Sequence, residues 1–334
     1  MVVARTPRSR LKVALTIDTE PTVALALTDP TRLKPLLDEA VYGEVGGRSQ
    51  ALGFILATLK TYRLTATFFV ETLHVRAFGE RPMRRHVEAI GLDGHDVELH
   101  LHPVWRSWAD GEVLPDVPST DSCAEVPRGE LADLFAEGAE QIERWTGNRP
   151  KAVRAGNFSA SRAVIDASAD AGLRYTTHIC TAVAPPLEPE LRLPGGVHRI
   201  GDAIELPVTC FRSPGPGGAK LKPLQINAVS AAEMGAALAA LHASGAPVAV
   251  IVMHPFDFLK RDDKRFTNMR PDRLVQRRLV ALCRYLQENR ARFEVTGFAA
   301  AAASAPPASA PAIRGAWPRA AARMVANYAN DRLS

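Results

Sequence analysis

Histidines and carboxylates cluster in this chain at the points where short apolar runs stop. Val13-Ala14-Leu15-Thr16-Ile17 ends in Asp18-Thr19-Glu20, Asp96-Val97-Glu98-Leu99 ends in His100-Leu101-His102-Pro103, and Val248–Met253 ends in His254-Pro255. Side chains two apart on a strand share a face, so His100 and His102 project together if strand geometry persists through them, and Asp18 and Glu20 do the same. Two imidazoles and a carboxylate, with one position left to water, form the donor set of a catalytic zinc centre, and iron or manganese accepts similar ligands. Either Asp18 or Glu20 could supply the oxygen. A His-X-His pair carries little weight alone; its place at one strand end, with carboxylates at another, gives it weight.

His254 has two readings. It is a core histidine bonded to a backbone carbonyl, or a general acid, since imidazole donates a proton near neutral pH. Arg154, followed by Ala155-Gly156-Asn157, is either a plain surface cation or, beside carboxylates, the group that orients one of them.

The elements that must hold these residues alternate. Strands are expected at 66–70, 96–101, 152–154, 173–177, 203–208, 248–253 and 293–297 after the first, with helices near 50–62, 82–91, 129–145, 160–171, 230–244 and 272–290. Such alternation implies right-handed β-α-β units and a parallel sheet, whose strand ends gather functional side chains on one face. The strand count predicts an α/β fold, a barrel of about seven or eight parallel strands in preference to an open sheet, over residues 11–298. Residues 21–49 and 104–128 read as long loops, the second either covering the site or running through solvent. Residues 299–334 read as an Ala/Pro-rich linker and tail with a short helix around 317–329.

Composition narrows the function classes. A hydrophobic content of 46% in 334 residues supports a sizeable core, and the formal charge of +5 is scattered, with no aromatic or helix-turn-helix motif beside it, so no nucleic-acid partner is expected. Four cysteines without a Cys-X-X-Cys pair fit a reducing compartment. With no apolar run of signal-peptide or spanning length, a cytoplasmic protein with no membrane span is expected.

Thr16-Ile-Asp-Thr-Glu20, Ala66-Thr-Phe-Phe-Val70, Gly94-His-Asp-Val-Glu-Leu-His-Leu-His-Pro103, Arg154-Ala-Gly-Asn-Phe158 and Val252-Met-His-Pro255 together resemble the ordered motifs of the polysaccharide deacetylases, the NodB-homology carbohydrate esterases, over roughly 12–298. The resemblance implies a distorted (β/α) barrel with a zinc-like divalent metal that removes acetyl groups from N-acetylated sugars. It implies Asp18 as catalytic base, Arg154 as its tether, His254 as catalytic acid and His100 as first metal histidine. Two positions depart from the family pattern. Thr19 stands where a second aspartate is usual, leaving Glu20 as the substitute, and Val104 stands where the second histidine is usual, leaving His102. The tryptophan motif is replaced by Tyr175-Thr-Thr-His178. The expectation is a divergent metal-dependent amide hydrolase acting on a sugar or small N-acyl compound, with Zn2+ at Glu20, His100 and His102. The alternative is a non-catalytic carbohydrate- or metal-binding member of the same fold.

Overall fold

The computed structural model describes residues 9–23, 26 and 34–332. Segment 1–8, part of the stretch read for a targeting signal, and 24–25 and 27–33 of the first long loop lie outside the described residues.

The strands of the main sheet, in chain order, are β1 (Leu11–Thr19), β2 (Thr67–Glu71), β3 (Asp96–Leu101), β4 (Ala152–Ala155), β5 (Tyr175–Thr176), β6 (Gly196–Ile200), β7 (Ala203–Glu205), β8 (Val248–Met253), β9 (Phe293–Val295) and β10 (Ala308–Ser309). They lie in the order β8-β1-β2-β3-β4-β5-β7-β6-β10, with β9 beside the first half of β1 and β2 beside its second half. From β8 through β7, and at β9, every pairing is parallel. Only the pairings of β6, with β7 on one side and β10 on the other, are antiparallel. This is the curled, mostly parallel sheet expected of a distorted barrel.

The crossovers run through helices α1 (Leu52–Tyr62), α2 (Arg81–Leu92), α3 (Arg128–Thr146), α4 (Arg162–Asp170), α5 (Ala231–Ser244) and α6 (Arg273–Glu288). Their ends follow local chemistry. Ser230 and Glu233 close a reciprocal capping box at the start of α5, and Gly245, at φ 77°, ends it in the left-handed conformation that glycine adopts without steric cost.

Strand alternation splits the core in two. Leu11, Val13, Leu15 and Ile17 of β1 join Phe68, Val70 and Leu99 on the outer face beneath the helices. Ala14, Phe69, Ala152, Val248, Val250 and Val252 face inward. Small side chains fit the narrow interior. β8 is buried along its whole length, which explains its unbroken apolar run.

No ladder joins β7 to β8. The gap is closed by irregular chain: Thr209 donates its N–H to Val250 O (3.1 Å) and Val252 N–H donates to Leu224 O (3.0 Å). In the same gap, Val250 N–H donates to Thr209 Oγ1 (2.9 Å).

The segment read as a linker is built into the fold. Phe298–Ser304 forms helix α7, and Phe298, Ala301 and Ala302 are buried in the inner cluster. Phe298 meets Phe69 edge-on at 5.3 Å and donates its backbone N–H to Thr67 Oγ1. Beyond β10, helix α8 (Trp317–Arg332) buries Arg323 against Glu233 of α5, Nε to Oε2 3.0 Å. The alanines suggested a flexible linker, but alanine is also the best helix former and the right size for a tight interior.

If Phe298 fills the barrel interior, Phe298→Ala should destabilise the protein by about 3–5 kcal/mol, the usual cost of a buried phenylalanine. Denaturant unfolding measures this, and a loss below about 1 kcal/mol would make α7 an appendage.

Candidate metal centre and active site

Parity along the parallel strands assembles the site. Asp18 shares the inward face of β1 with Ala14 and Thr16, and His100 follows Glu98 on β3. Arg154 follows Ala152 on β4, and His254 lies two residues past Val252. β1 stays extended through Thr19, so Glu20, and not Thr19, returns to the inward face. His102 lies one residue past the end of β3 but keeps extended dihedrals (φ −108°, ψ 115°), so the alternation carries through it.

Glu20, His100 and His102 bring their ligand atoms within 4.8 Å of one another. Glu20 Oε2 lies 2.9 Å from His100 Nε2 and 2.5 Å from His102 Nε2. Their outer nitrogens fix the tautomers. His100 Nδ1 donates to the carbonyl of Arg154 at 2.9 Å, and His102 Nδ1 donates to Asp121 Oδ1 at 2.8 Å. With Nδ1 carrying a proton on each ring, the neutral form of either turns an Nε2 lone pair onto the same carboxylate oxygen. Three acceptors meeting at a point need a positive charge between them, supplied by a metal ion or, without one, by a proton on His102. Burial disfavours charge on both groups. Even so, Glu20 and Asp121 hold His102 well above the usual imidazole range, and His102 and His100 hold Glu20 well below the usual carboxylate range. The donor set thus fits a divalent metal.

Beside it lies a fully buried ion pair. Arg154 donates from Nη1 to Asp18 Oδ1 at 2.5 Å, and neither side chain is more than 2% exposed. Its Nη2 reaches Thr16 Oγ1 (3.0 Å) and Thr177 Oγ1 (3.3 Å), its Nε reaches Thr177 O (3.3 Å), and its guanidinium lies 4.6 Å from the Phe69 ring centroid. The surface-cation reading of Arg154 is therefore incorrect: it has no exposed surface and is enclosed by β1, β2 and the chain after β5. Removing one partner of such a pair costs about 3–5 kcal/mol because the other charge is left buried and alone.

His254 Nε2 stands 3.7 Å from Asp18 Oδ2 and 3.9 Å from Glu20 Oε1. Its Nδ1 is 3.3 Å from Asp257 Oδ2, and the same oxygen accepts the His254 backbone N–H at 2.9 Å. Burial opposes charge on the ring, but Asp257, Asp18 and Glu20 outweigh it and push His254 up to about 9. Asp18, Glu20, His100, His102 and His254 line one cavity of about 440 Å³, which Phe158, Val183, Ala184 and Phe256 also line.

A model of the polysaccharide deacetylase family matches residues 12–176. That span carries Asp18, Glu20, both histidines of the cluster and Arg154, in family order. The chain belongs to the polysaccharide deacetylase family. Among solved structures it is similar to a candidate polysaccharide deacetylase from Mycobacterium smegmatis, with a TM-score of 0.53 at 17% identity over 94% of this chain and 97% of that one. It is also similar to a family 4 acetyl xylan esterase from Clostridium thermocellum solved with cobalt, at TM-score 0.43 and 14% identity over 87% and 89% of the two chains. A family 4 pseudoenzyme from Bacillus anthracis matches at TM-score 0.42 and 13% identity over 89% and 66%. No curated protein matches the chain. The candidate metal-ligand cluster of this chain is Glu20, His100 and His102, with Thr19 and Val104 both buried outside it.

Four contributors had been missed in the sequence. Asp121 arrives from the 104–128 loop, where Asn157 Nδ2 donates to its Oδ2 at 2.7 Å. Asn157 holds this place at φ 53°, a left-handed conformation rare outside glycine and found at functional sites. Gly156 lets the His102 ring lie flat on the chain, since a Cβ there would fall 2.5 Å from ring atoms. Asp257 could have been found: Pro255 and Asp257, one and three residues after His254, have the spacing of a capped turn. The same 104–128 loop buries Trp105 and Trp108 at 1% exposure each, so it is neither a solvent excursion nor solely a cover.

His178, in place of the family tryptophan motif, is a buried neutral histidine. Its Nδ1 accepts the Ala155 N–H at 2.9 Å, its Nε2–H bonds Ser168 Oγ at 3.0 Å, and that hydroxyl donates to Val164 O. Burial, then the nearby Arg154 and His100, push it down to about 3.

If Asp121 orients His102, Asp121→Ala should weaken zinc binding by about 10–100-fold, read by competition with a chelator. Unchanged affinity would make the contact incidental. His178 sets a pH dependence. Its folded pKa lies below its unfolded value, so its contribution is complete above about 6.5 and is lost as pH falls toward about 3, by about 1.4 kcal/mol per unit. Wild type should therefore lose its stability advantage over His178→Gln in urea unfolding between pH 7 and pH 4; a constant difference would show that His178 does not titrate in this range.

Proposed function

We propose that this chain is a metal-dependent amide hydrolase that removes an acyl group, acetyl first, from the nitrogen of a sugar or small N-acyl compound. The observation that carries the reading is the pairing of a tethered carboxylate, Asp18, with a carboxylate-backed imidazole, His254, across one cavity from a three-ligand cluster. A divalent cation held by Glu20, His100 and His102, zinc in the first instance, would supply Lewis acidity toward the acyl oxygen and a water of lowered pKa.

The protein's own groups cover the remaining needs. Arg154 engages Asp18 Oδ1, which leaves Oδ2 to take a proton from the attacking water. Asp257 engages His254 Nδ1, which leaves Nε2 to give a proton to the departing nitrogen. That proton is required because an amide anion is a very poor leaving group. Phe158, Val183, Ala184 and Phe256 make an apolar wall suited to a small acyl chain. A site that only binds sugar or metal has no use for a separate base and acid, each with its own tether.

Four buried, free cysteines support a reducing compartment and hence a small precursor as substrate, not a wall polymer. No helix among the described residues is long and apolar enough to cross a membrane.

His254→Ala should lower amine release from N-acetylated sugars by about 10²–10⁴-fold, the loss typical of a positioned general acid, with metal content unchanged by elemental analysis. Retained turnover would remove His254 from the mechanism. Absence of amine release in zinc-loaded wild type, with sugar still bound, would favour the non-catalytic reading.

A further inference from the structure

A second cavity, of about 490 Å³, adjoins the Glu20/His102 end of the cluster. It shares Glu20, His102, Asn157 and Phe256 with the first cavity and ends at Arg261, Lys264 and Phe266. Its two carboxylates are committed: Glu20 to the histidines and Asp121 to His102 and Asn157. Its two cations are not. Among the described residues neither Arg261 nor Lys264 makes a hydrogen bond or an ion pair. Arg261 feels the charges of Asp257 and Asp263, but those carboxylates are bonded elsewhere, to His254 and Asn227 and to the 265–267 turn.

Arg261 is also held in place. Its guanidinium lies 4.2 Å from the Phe266 ring centroid and 5.5 Å from that of Phe256. Phe256 in turn stacks on the His254 ring at 4.7 Å and 21°. One aromatic ring therefore separates His254 from a guanidinium whose N–H edges have no partner among the described residues. A planar, preorganised guanidinium beside an ammonium suits a phosphoryl group, which accepts several charge-assisted hydrogen bonds at once.

We propose that the substrate is an N-acyl sugar bearing a phosphoryl group, which Arg261 and Lys264 hold in the second cavity while the N-acyl group lies in the first. This rests on the deacetylase reading for the position of the acyl group. The charge pattern of the second cavity stands without it.

Calorimetry on zinc-loaded protein in a phosphate-free buffer, with N-acetylglucosamine, its 1-phosphate, its 6-phosphate and UDP-N-acetylglucosamine as probes, tests the subsite. At least one phosphorylated probe should bind tenfold or more tighter than the neutral sugar, and which one does so separates a free sugar phosphate from a diphosphate-linked sugar. In Arg261→Gln/Lys264→Gln the preference should fall to within about threefold. Arg261→Lys, which keeps the charge but loses the planar stack, should fall between. Equal affinities in wild type would overturn the subsite. So would a preference that survives the double variant with an unchanged unfolding temperature, because the phosphate would then be held at the metal centre. Amine release is scored separately. Preference without release from any probe supports the subsite and overturns the deacetylase reading, whereas release from the neutral sugar without preference does the reverse.

Discussion

One guanidinium with no exposed surface organises this protein. Through its side chain, Arg154 fixes Asp18, Thr16 and Thr177, and through its backbone carbonyl it fixes the tautomer of His100. The same residue thus sets the orientation of the Asp18 carboxylate and of the His100 lone pair. A buried cation of this kind is tolerated only when its hydrogen-bonding capacity is met and an opposite charge is in contact. That requirement draws β1, β4 and the chain after β5 into one arrangement, and Thr16 passes it on by donating to Ile251 O of β8 at 2.7 Å.

The departures from the family pattern have a common geometric origin. Where β1 remains extended through residue 19, the next inward position is residue 20, and a glutamate there reaches the histidines. Where β3 continues its alternation to residue 102, a histidine two places on lands beside the first, with the ring centroids 4.9 Å apart. The glutamate and the histidine spacing therefore go together: both follow from strands that keep their period to the end.

The surroundings divide into regions of opposite character. On the acyl side the walls are apolar, and toward Arg261 and Lys264 they are aromatic and cationic. Between them the carboxylates of Asp18, Glu20, Asp121 and Asp257 are each answered by a named partner. Asp121 also ties the long 104–128 loop to His102, so anchoring of the loop and orientation of that ring are a single contact.

The parallel barrel and the meeting of Glu20 and His102 with His100 were legible in the sequence, because strand alternation is local: residue types two apart report a shared face before any contact is known. The partners of those residues were not. Asp121 meets His102 across 19 positions and Arg154 meets Asp18 across 136, separations at which no periodicity speaks. Nor could composition reveal that an alanine-rich tail is a buried helix, or that irregular chain at Thr209 and Leu224 completes the barrel. Local pattern decides which way a side chain points. Which opposite charge, ring or backbone group it meets is decided only when the sheet curls and distant segments compete for the same buried space.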